Sequence, residues 1–544
     1  MRYAAGLTHL VALGSLTAVA LGYVWPLLTR FTSALPGGPA DRDVATMVWN
    51  VSWVHHALHG DGLPRSLLWT ADVLVPFGAD LRLHTYGLLQ GLLAEPFVGL
   101  LGVVGAFNLN LAATLILNGG LSYLLVLRET RSGAAALVAA TCFMLASPVL
   151  AQLRVGRPSF GAVWLVVAAL LAADWLLHAP RWWKGALLGA ALLGALLADL
   201  QIAFFAAIWL AMLVAARLRR LRAVAPLGLS ALVAGLPFLS VYYPAFARAD
   251  TPRPTLDDTL PYSYRLADYV DPAVIPYAYG FDLLAGALAA LLLFRWRGGY
   301  RLWLLGGLGC LLLALGPALQ PTSVPLPFAA LGLWPPLAQF RTPSRLTMPA
   351  ALGLAVTLGY ALAPLFRRVP SWIGMLVISV ALLGRLLYAQ AHDPFAVQTY
   401  PTYAAYNRLA REPGRFVLLE VPFGVRSGLE RIGDGGEILE HYQHVHGKPL
   451  LNGMIARLPA SVFAEYAGHP SLLLLSGGDV AESVPSLQAD LADVIDWTGS
   501  RYVLVHHAML DAEQAGRIDS LLDSSPLLER VGQEADLVVY AVRS

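Results

Sequence analysis

Asp41 and Asp43 flank Arg42 in a Gly/Pro-rich loop after the first long apolar run, and an aromatic stretch, Trp49-Asn50-Val51-Ser52-Trp53-Val54-His55-His56, follows them. Held just outside a bilayer, such carboxylates can take a proton from an acceptor hydroxyl or hold a divalent cation. The competing reading is that they are solvated loop charges capping the next helix. Val44, Met47, Val48, Val51, Val54 and Leu58 recur at helical spacing, which predicts an amphipathic helix over 44–59 lying on a membrane surface. Trp49 and Trp53 share one face of it, as at a membrane interface. Asp43 then opens the helix, where unpaired N–H groups also attract anionic groups such as phosphate. The same loop carries His55, His56, His59, Asp61, Asp72, Asp80 and Arg82, with His84 just past it.

The elements that must position these residues are mostly apolar. Of 544 residues, 57% are hydrophobic and only 13% charged, about half the charge of an ordinary soluble domain. Runs near bilayer-crossing length recur up to residue 390 and then stop. The net charge of +2 gives no field for nucleic acid. Cys142 and Cys310 both sit inside apolar runs, so neither a disulfide framework nor a cysteine metal site is expected. The first run, 7–28, lacks a small-residue cleavage site and is expected to be a retained helix.

Further runs cover 87–104, 108–127, 133–150, 161–177, 185–197, 202–216, 224–243, 281–294, 302–315, 348–366 and 372–389. Positive loops stay cytoplasmic. Placing Arg128/Arg131, Arg181/Lys184, the Arg217–Arg222 cluster, Arg295/Arg297/Arg301 and Arg367-Arg368 there makes every run after 107 alternate correctly. The loop 29–83 and the polar tail 391–544 then face outward. That parity requires 87–104, with Gln90 and Glu95-Pro96, to be an interfacial or re-entrant helix. The fold class expected is a polytopic α-helical membrane protein of about 11 transmembrane helices, residues 1–390, with a C-terminal α/β extracytoplasmic domain, residues 391–544. In that tail 416–421, 502–505 and 537–542 have strand character and 511–522 has helical spacing. The glycines at 433–436 lack a strand-to-helix context and are expected in a loop.

Charged groups near the outer ends of crossings are the candidates for holding a phosphate. They are Arg82, with His84 beside it, Arg154, Arg157, Arg341 and Arg345. Arginine presents a planar fork to phosphate oxygens; the alternative is contact with lipid headgroups. Asp199 interrupts an apolar stretch and is expected, with Gln201, at a tight turn between two short helices. Asp174 is expected to pair with His178 at i+4. His441, His444 and His446 stand near Glu437 and Glu440 at spacings that allow a metal, but no His-Glu-x-x-His motif is present. His506-His507 is expected as a surface pair at a strand end.

Taken together, an acid in the first outer loop, an aromatic surface helix and many crossings resemble the GT-C superfamily of membrane glycosyltransferases. More narrowly, they resemble bacterial proteins related to the protein-mannosyltransferase and lipid A aminoarabinose-transferase group. Asp43 followed by Trp49 and Trp53 is similar to that group's aspartate-then-tryptophan pattern. Phe340-Arg341-Thr342-Pro343-Ser344-Arg345-Leu346 and His446-Gly447-Lys448-Pro449-Leu450-Leu451-Asn452-Gly453 resemble stretches of related chains. The resemblance implies an inverting enzyme of a bacterial-type inner membrane, which moves a sugar from a polyprenyl-phosphate-linked donor to an envelope acceptor at the outer face. It assigns acceptor activation to Asp43, with Asp41 the weaker candidate. A divalent metal is possible, with Asp41, Asp43 and Asp72 or Asp80 as oxygen donors. A lipid or glycan transporter and a catalytically inactive envelope scaffold are the alternatives.

Overall fold

The computed structural model describes residues 2–60, 66–269, 271, 299–322, 324–366, 371–392 and 394–543. The expected crossing at 281–294, Asp61, Arg295, Arg297, Arg367 and Arg368 lie outside them. The chain forms two compact units, one of residues 1–38, 104–244 and 253–398, the other of residues 39–103, 245–252 and 399–544. The polar tail therefore groups with the first loop and with the helix that follows it.

The first unit is a helical bundle. Among the described residues four helices are long and apolar enough to cross a membrane: Leu88–Thr130, Leu200–Arg217, Leu221–Ala247 and Pro343–Phe366. Gly133–Met144 and Ser147–Arg154, bent by 48°, add a fifth if they form one span. This is fewer than the eleven expected. The first helix runs Arg2–Tyr23, whereas Trp164–His178, Trp182–Ala198 and Arg301–Ala314 are apolar but short, because caps and turns end them early. Asp199 shows how. Its side chain accepts from Gln201 N at 2.7 Å, which ends one helix at Ala198 and starts the next at Leu200. The expected turn is there.

Close packing in this unit depends on missing side chains. A Cβ on Gly353 would lie 2.6 Å from the Trp303 carbonyl and 2.8 Å from the Trp209 ring, and one on Gly306 would meet the same ring at 2.6 Å. Trp209 is fully buried between them, with Trp303 at 5.2 Å.

Arg217, in the last turn of Leu200–Arg217, binds Glu129 at 2.8 Å and Asp174 at 2.7 Å. Glu129 also accepts from Tyr360 Oη at 2.7 Å and Trp303 Nε1 at 3.1 Å. Asp174 binds Arg128 and, at 3.3 Å, His178. The predicted i+4 pair is thus one edge of a larger network that ties five helices together. Arg128, Arg131, Arg219 and Arg220 line a cavity of about 780 Å³ beside it. Basic clusters separated in sequence therefore share one end of the bundle. Asp199 lies at the opposite end of the Leu200–Arg217 helix, about 27 Å away at 1.5 Å per residue.

In the second unit, four strands form one sheet: β1 (Val417–Val421), β2 (Ser500–His506), β3 (Leu528–Glu534) and β4 (Leu537–Val542), in the order β3-β4-β2-β1. β1 and β2 are parallel, joined through the Val484–Thr498 helix, and β4 is antiparallel to both β2 and β3. Every residue of β1 is buried, Glu420 among them. β3 (Leu-Glu-Arg-Val-Gly-Gln-Glu) is a largely exposed edge strand without an apolar run, so periodicity misses it. The helix expected at 511–522 is Ala512–Asp523, opened by a capping box between Asp511 and Gln514.

Candidate functional site

The site is built on the Asp43–His59 helix of the second unit. The residue preceding it is Arg42, and no side chain caps it, so Asp43 lies inside the first turn and neither Asp41 nor Asp43 serves as a cap. The membrane-surface reading of this helix needs correction. Val44 through Val51 are buried without interruption, and Trp49 and Trp53 are only 1% and 4% exposed. The two indoles stack at 6.0 Å and 11°, and Trp49 Nε1 donates to Gln443 Oε1 at 2.5 Å. The helix is thus a core element of the polar unit. Helical spacing cannot reveal whether an apolar face meets lipid or protein, because both are equally dry.

The Asp43 carboxylate remains partly open, with 28% side-chain exposure, and faces Arg426 at 3.5 Å. Arg426 also bonds Glu437 at 2.5 Å. His84 lies close enough to feel the Asp43 charge. Burial nevertheless holds its imidazole down at about 3, and Nδ1 accepts from Ala456 N at 3.2 Å, so the ring is neutral. Glu440 is also buried. Desolvation and the neighbouring Glu437 push its carboxyl well above the ordinary range, while it accepts from Met454 N. Beside the first turn of the helix, Arg426 thus bridges Asp43 and Glu437, with the neutral imidazole of His84 close by.

A cavity of about 330 Å³ lies along the same helix, lined among others by Trp49, Trp53, His56, Asp72, Gln443 and His446. Its wall is aromatic and imidazole-rich, a surface that suits a sugar ring or an oxygen ligand.

No protein-family model and no curated protein sequence matches the chain. Solved structures do. The mycobacterial arabinofuranosyltransferase AftD aligns with 98% of this chain at 20% identity and a TM-score of 0.57. ArnT from Cupriavidus metallidurans aligns with 99% of it at 12% identity and a TM-score of 0.53. The chain has the GT-C fold. It spans 41% of the length of AftD and 98% of that of ArnT.

Within this GT-C fold the predicted phosphate-binding residues are divided. Arg82 closes a local pair with Asp80, at 2.9 and 2.6 Å, just after the second strand of the short Trp69–Thr70/Ala79–Asp80 hairpin. The other four belong to the helical unit. Arg154 is buried and donates to Tyr23 Oη at 3.3 Å. Arg345 stacks on Phe160 at 3.8 Å, one turn beyond Arg157, and its charge acts on Asp199. Burial raises the Asp199 carboxyl to about 6, and Arg345 works against that rise. Arg341 lies over the Tyr262 ring at 4.6 Å. Arg345 and Asp199 therefore lie together at the end of the bundle opposite Arg217.

The suggested metal donors do not gather. Asp72 is bonded by Arg415 at 2.9 Å, Asp80 by Arg82, and Asp43 faces Arg426. Each of these three carboxylates already has a guanidinium, which is a poor fit to a shared cation. Among the described residues His441, His444 and His446 do not form a metal group either. Glu437 and His444 stand on separate short helices, Gly436–Glu440 and Gln443–His446, and His441 stacks on Tyr400 at 4.5 Å. His506 is not a surface residue. It is 1% exposed and shares Glu420 with Tyr406, all within 2.9–3.0 Å.

Nothing in the sequence singles out Arg426 or Tyr400. Arg426 lies 383 positions from Asp43, in a two-residue strand with no motif around it.

Proposed function

We propose that this chain is a membrane glycosyltransferase that moves a sugar from a polyprenyl-phosphate-linked donor to a hydroxyl of an envelope acceptor, with inversion, on the outer face of a bacterial-type inner membrane. The single observation that carries this reading is the Asp43–Arg426 pair, partly open at the start of a helix and flanked by neutral His84 and Glu440. Of the two carboxylates that Arg426 bridges, Asp43 is the open one, with 28% side-chain exposure against 4% for Glu437. The GT-C fold supports the reaction class.

In this scheme Asp43 accepts the proton of the acceptor hydroxyl as its oxygen attacks the anomeric carbon. The bond from that carbon to the donor phosphate oxygen breaks, and the phosphate leaves with the electron pair. Attack opposite the leaving group inverts the centre. Arg426 fixes the carboxylate orientation. No step requires a metal held by Asp41, Asp72 or Asp80. Arg154, Arg157, Arg341 and Arg345 keep the proposed role of binding a lipid-linked phosphate. The short apolar helices are proposed to cross the membrane with the four longer ones, giving the many-span topology in which the polar unit is extracytoplasmic.

The test is transfer by purified protein in lipid vesicles, using synthetic polyprenyl-phosphate sugars and hydroxyl acceptors, with products read by mass spectrometry. Sugar transfer that disappears in Asp43→Asn supports the reading. Donor flipping without transfer would replace it with the transporter.

A further inference from the structure

The histidines on the C-terminal half of the Asp43–His59 helix have no part in the scheme above. His55 and His59 lie one turn apart, and their rings stack at 4.9 Å and 29°. Both turn Nδ1 toward one carboxylate oxygen, Glu95 Oε1, at 3.5 Å from His55 and 3.3 Å from His59. The donor atoms of all three side chains lie within 4.8 Å of one another. Among the described residues this is the only such group of histidine, cysteine and carboxylate side chains.

The distances are informative. They exceed the usual 2.7–3.2 Å of an N–H···O hydrogen bond. Two ligands bound to one tetrahedral ion at about 2.0–2.1 Å stand roughly 3.3–3.4 Å apart. His55 Nδ1 is also buried without a hydrogen-bond partner, an expensive state for a polar atom. Two neutral imidazoles at i and i+4 with one carboxylate is a borderline-soft donor set of the kind zinc takes.

We propose that His55, His59 and Glu95 bind a divalent transition-metal ion of the zinc type. Glu95 comes from the neighbouring helix, residues 88–101, which breaks from Leu88–Thr130 at Gly102. The ion clips that helix to the Asp43–His59 helix. At this seam Gly91 already brings the two backbones together, since a Cβ there would lie 2.5 Å from Val54. His55 and His59 also line the 330 Å³ cavity, so the fourth coordination position is available to water or to an oxygen of a bound molecule. His59 Nδ1 lies 3.3 Å from the His55 carbonyl. Coordination exchanges that hydrogen bond for the metal, with the imidazole proton carried on Nε2. The proposal does not depend on the glycosyltransferase reading.

The test uses the full chain, purified without a histidine tag, with Zn²⁺ alone against a chromophoric chelator. The expected result is one site per chain, weakened at least about tenfold in Glu95→Gln and in His59→Asn. His59 has 56% side-chain exposure, so its replacement leaves packing undisturbed. X-ray absorption should show two imidazole nitrogens and an oxygen in the first shell. Zn²⁺ should raise the melting temperature of the wild type and not that of His59→Asn. Absence of a stoichiometric site, or equal binding by wild type and His59→Asn, would overturn the proposal.

Discussion

Asp43 and Arg426 face each other at 3.5 Å, joining the first turn of the first-loop helix to the polar domain that follows the last apolar run. The pair gives the acid a fixed direction and a counter-charge while leaving it partly open. Replacing Asp43 with Asn keeps its size and removes its charge. Sugar transfer should fall by roughly 10²–10⁴, the usual worth of a positioned general base. Asp41→Asn should cost far less, and both variants should fold with wild-type melting behaviour. Full transfer by Asp43→Asn would end the assignment.

Arg426 acts through Asp43 and Glu437. Arg426→Ala should lower kcat on the order of 10²-fold, as misplacement of a catalytic group does, with a smaller change in KM for the donor. Arg426→Lys should recover only part of this, because an ammonium cannot bridge two carboxylates as a guanidinium fork does. A kcat equal to the wild type in the alanine variant would show that the pair is decorative.

His84 links pH to stability. Its folded pKa is depressed to about 3 from 6.5, so the unfolded chain takes up a proton that the folded chain refuses. The contribution is whole above pH 6.5 and is lost as pH falls toward 3. His441 and His446, also lowered by burial, act in the same direction. Melting temperatures measured from pH 7.5 to 5, a range of roughly two units chosen to cross that window, should fall for the wild type. They should fall less steeply for His84→Gln, and an unchanged slope would contradict the neutral imidazole.

Arg217 neutralises two carboxylates with 5% and 3% side-chain exposure, Glu129 and Asp174. Arg217→Met should destabilise the helical unit by about 3–5 kcal/mol, the cost of an uncompensated buried charge. The exposed Arg220, which donates to the His178 carbonyl at 2.7 Å, is the control. Arg220→Met should change thermal unfolding in detergent by much less.

Gly353→Ala places a methyl against Trp209 and the Trp303 carbonyl at under 3 Å. Overpacking of this kind costs about 1–3 kcal/mol. The variant should melt earlier than the wild type, whereas Gly309→Ala, with nothing near its added carbon, should not.

The sequence by itself determined the features that depend on local chemistry. Long apolar runs mark membrane helices, because a backbone in lipid must satisfy its own hydrogen bonds. Asp199 and Gln201 mark a helix break, and Asp511 with Gln514 marks a helix start, because side chain and backbone donors lie within a few residues of each other. Asp43 stood out because a carboxylate beside paired tryptophans is unusual in an apolar chain. Tertiary structure decided the partners. Nothing local to Asp43 points to Arg426, and nothing local to Asp174 points to Arg217, since those pairings follow from how helices and strands stack. Tertiary structure also decided what covers the Asp43–His59 helix. Its apolar spacing is equally compatible with lipid and with protein, and only packing against Gln443 and its neighbours shows that it is protein. For the same reason the three groups that converge at His55, His59 and Glu95 are invisible in the chain. The last two lie thirty-six positions apart on different helices, and only the fold brings their donor atoms together.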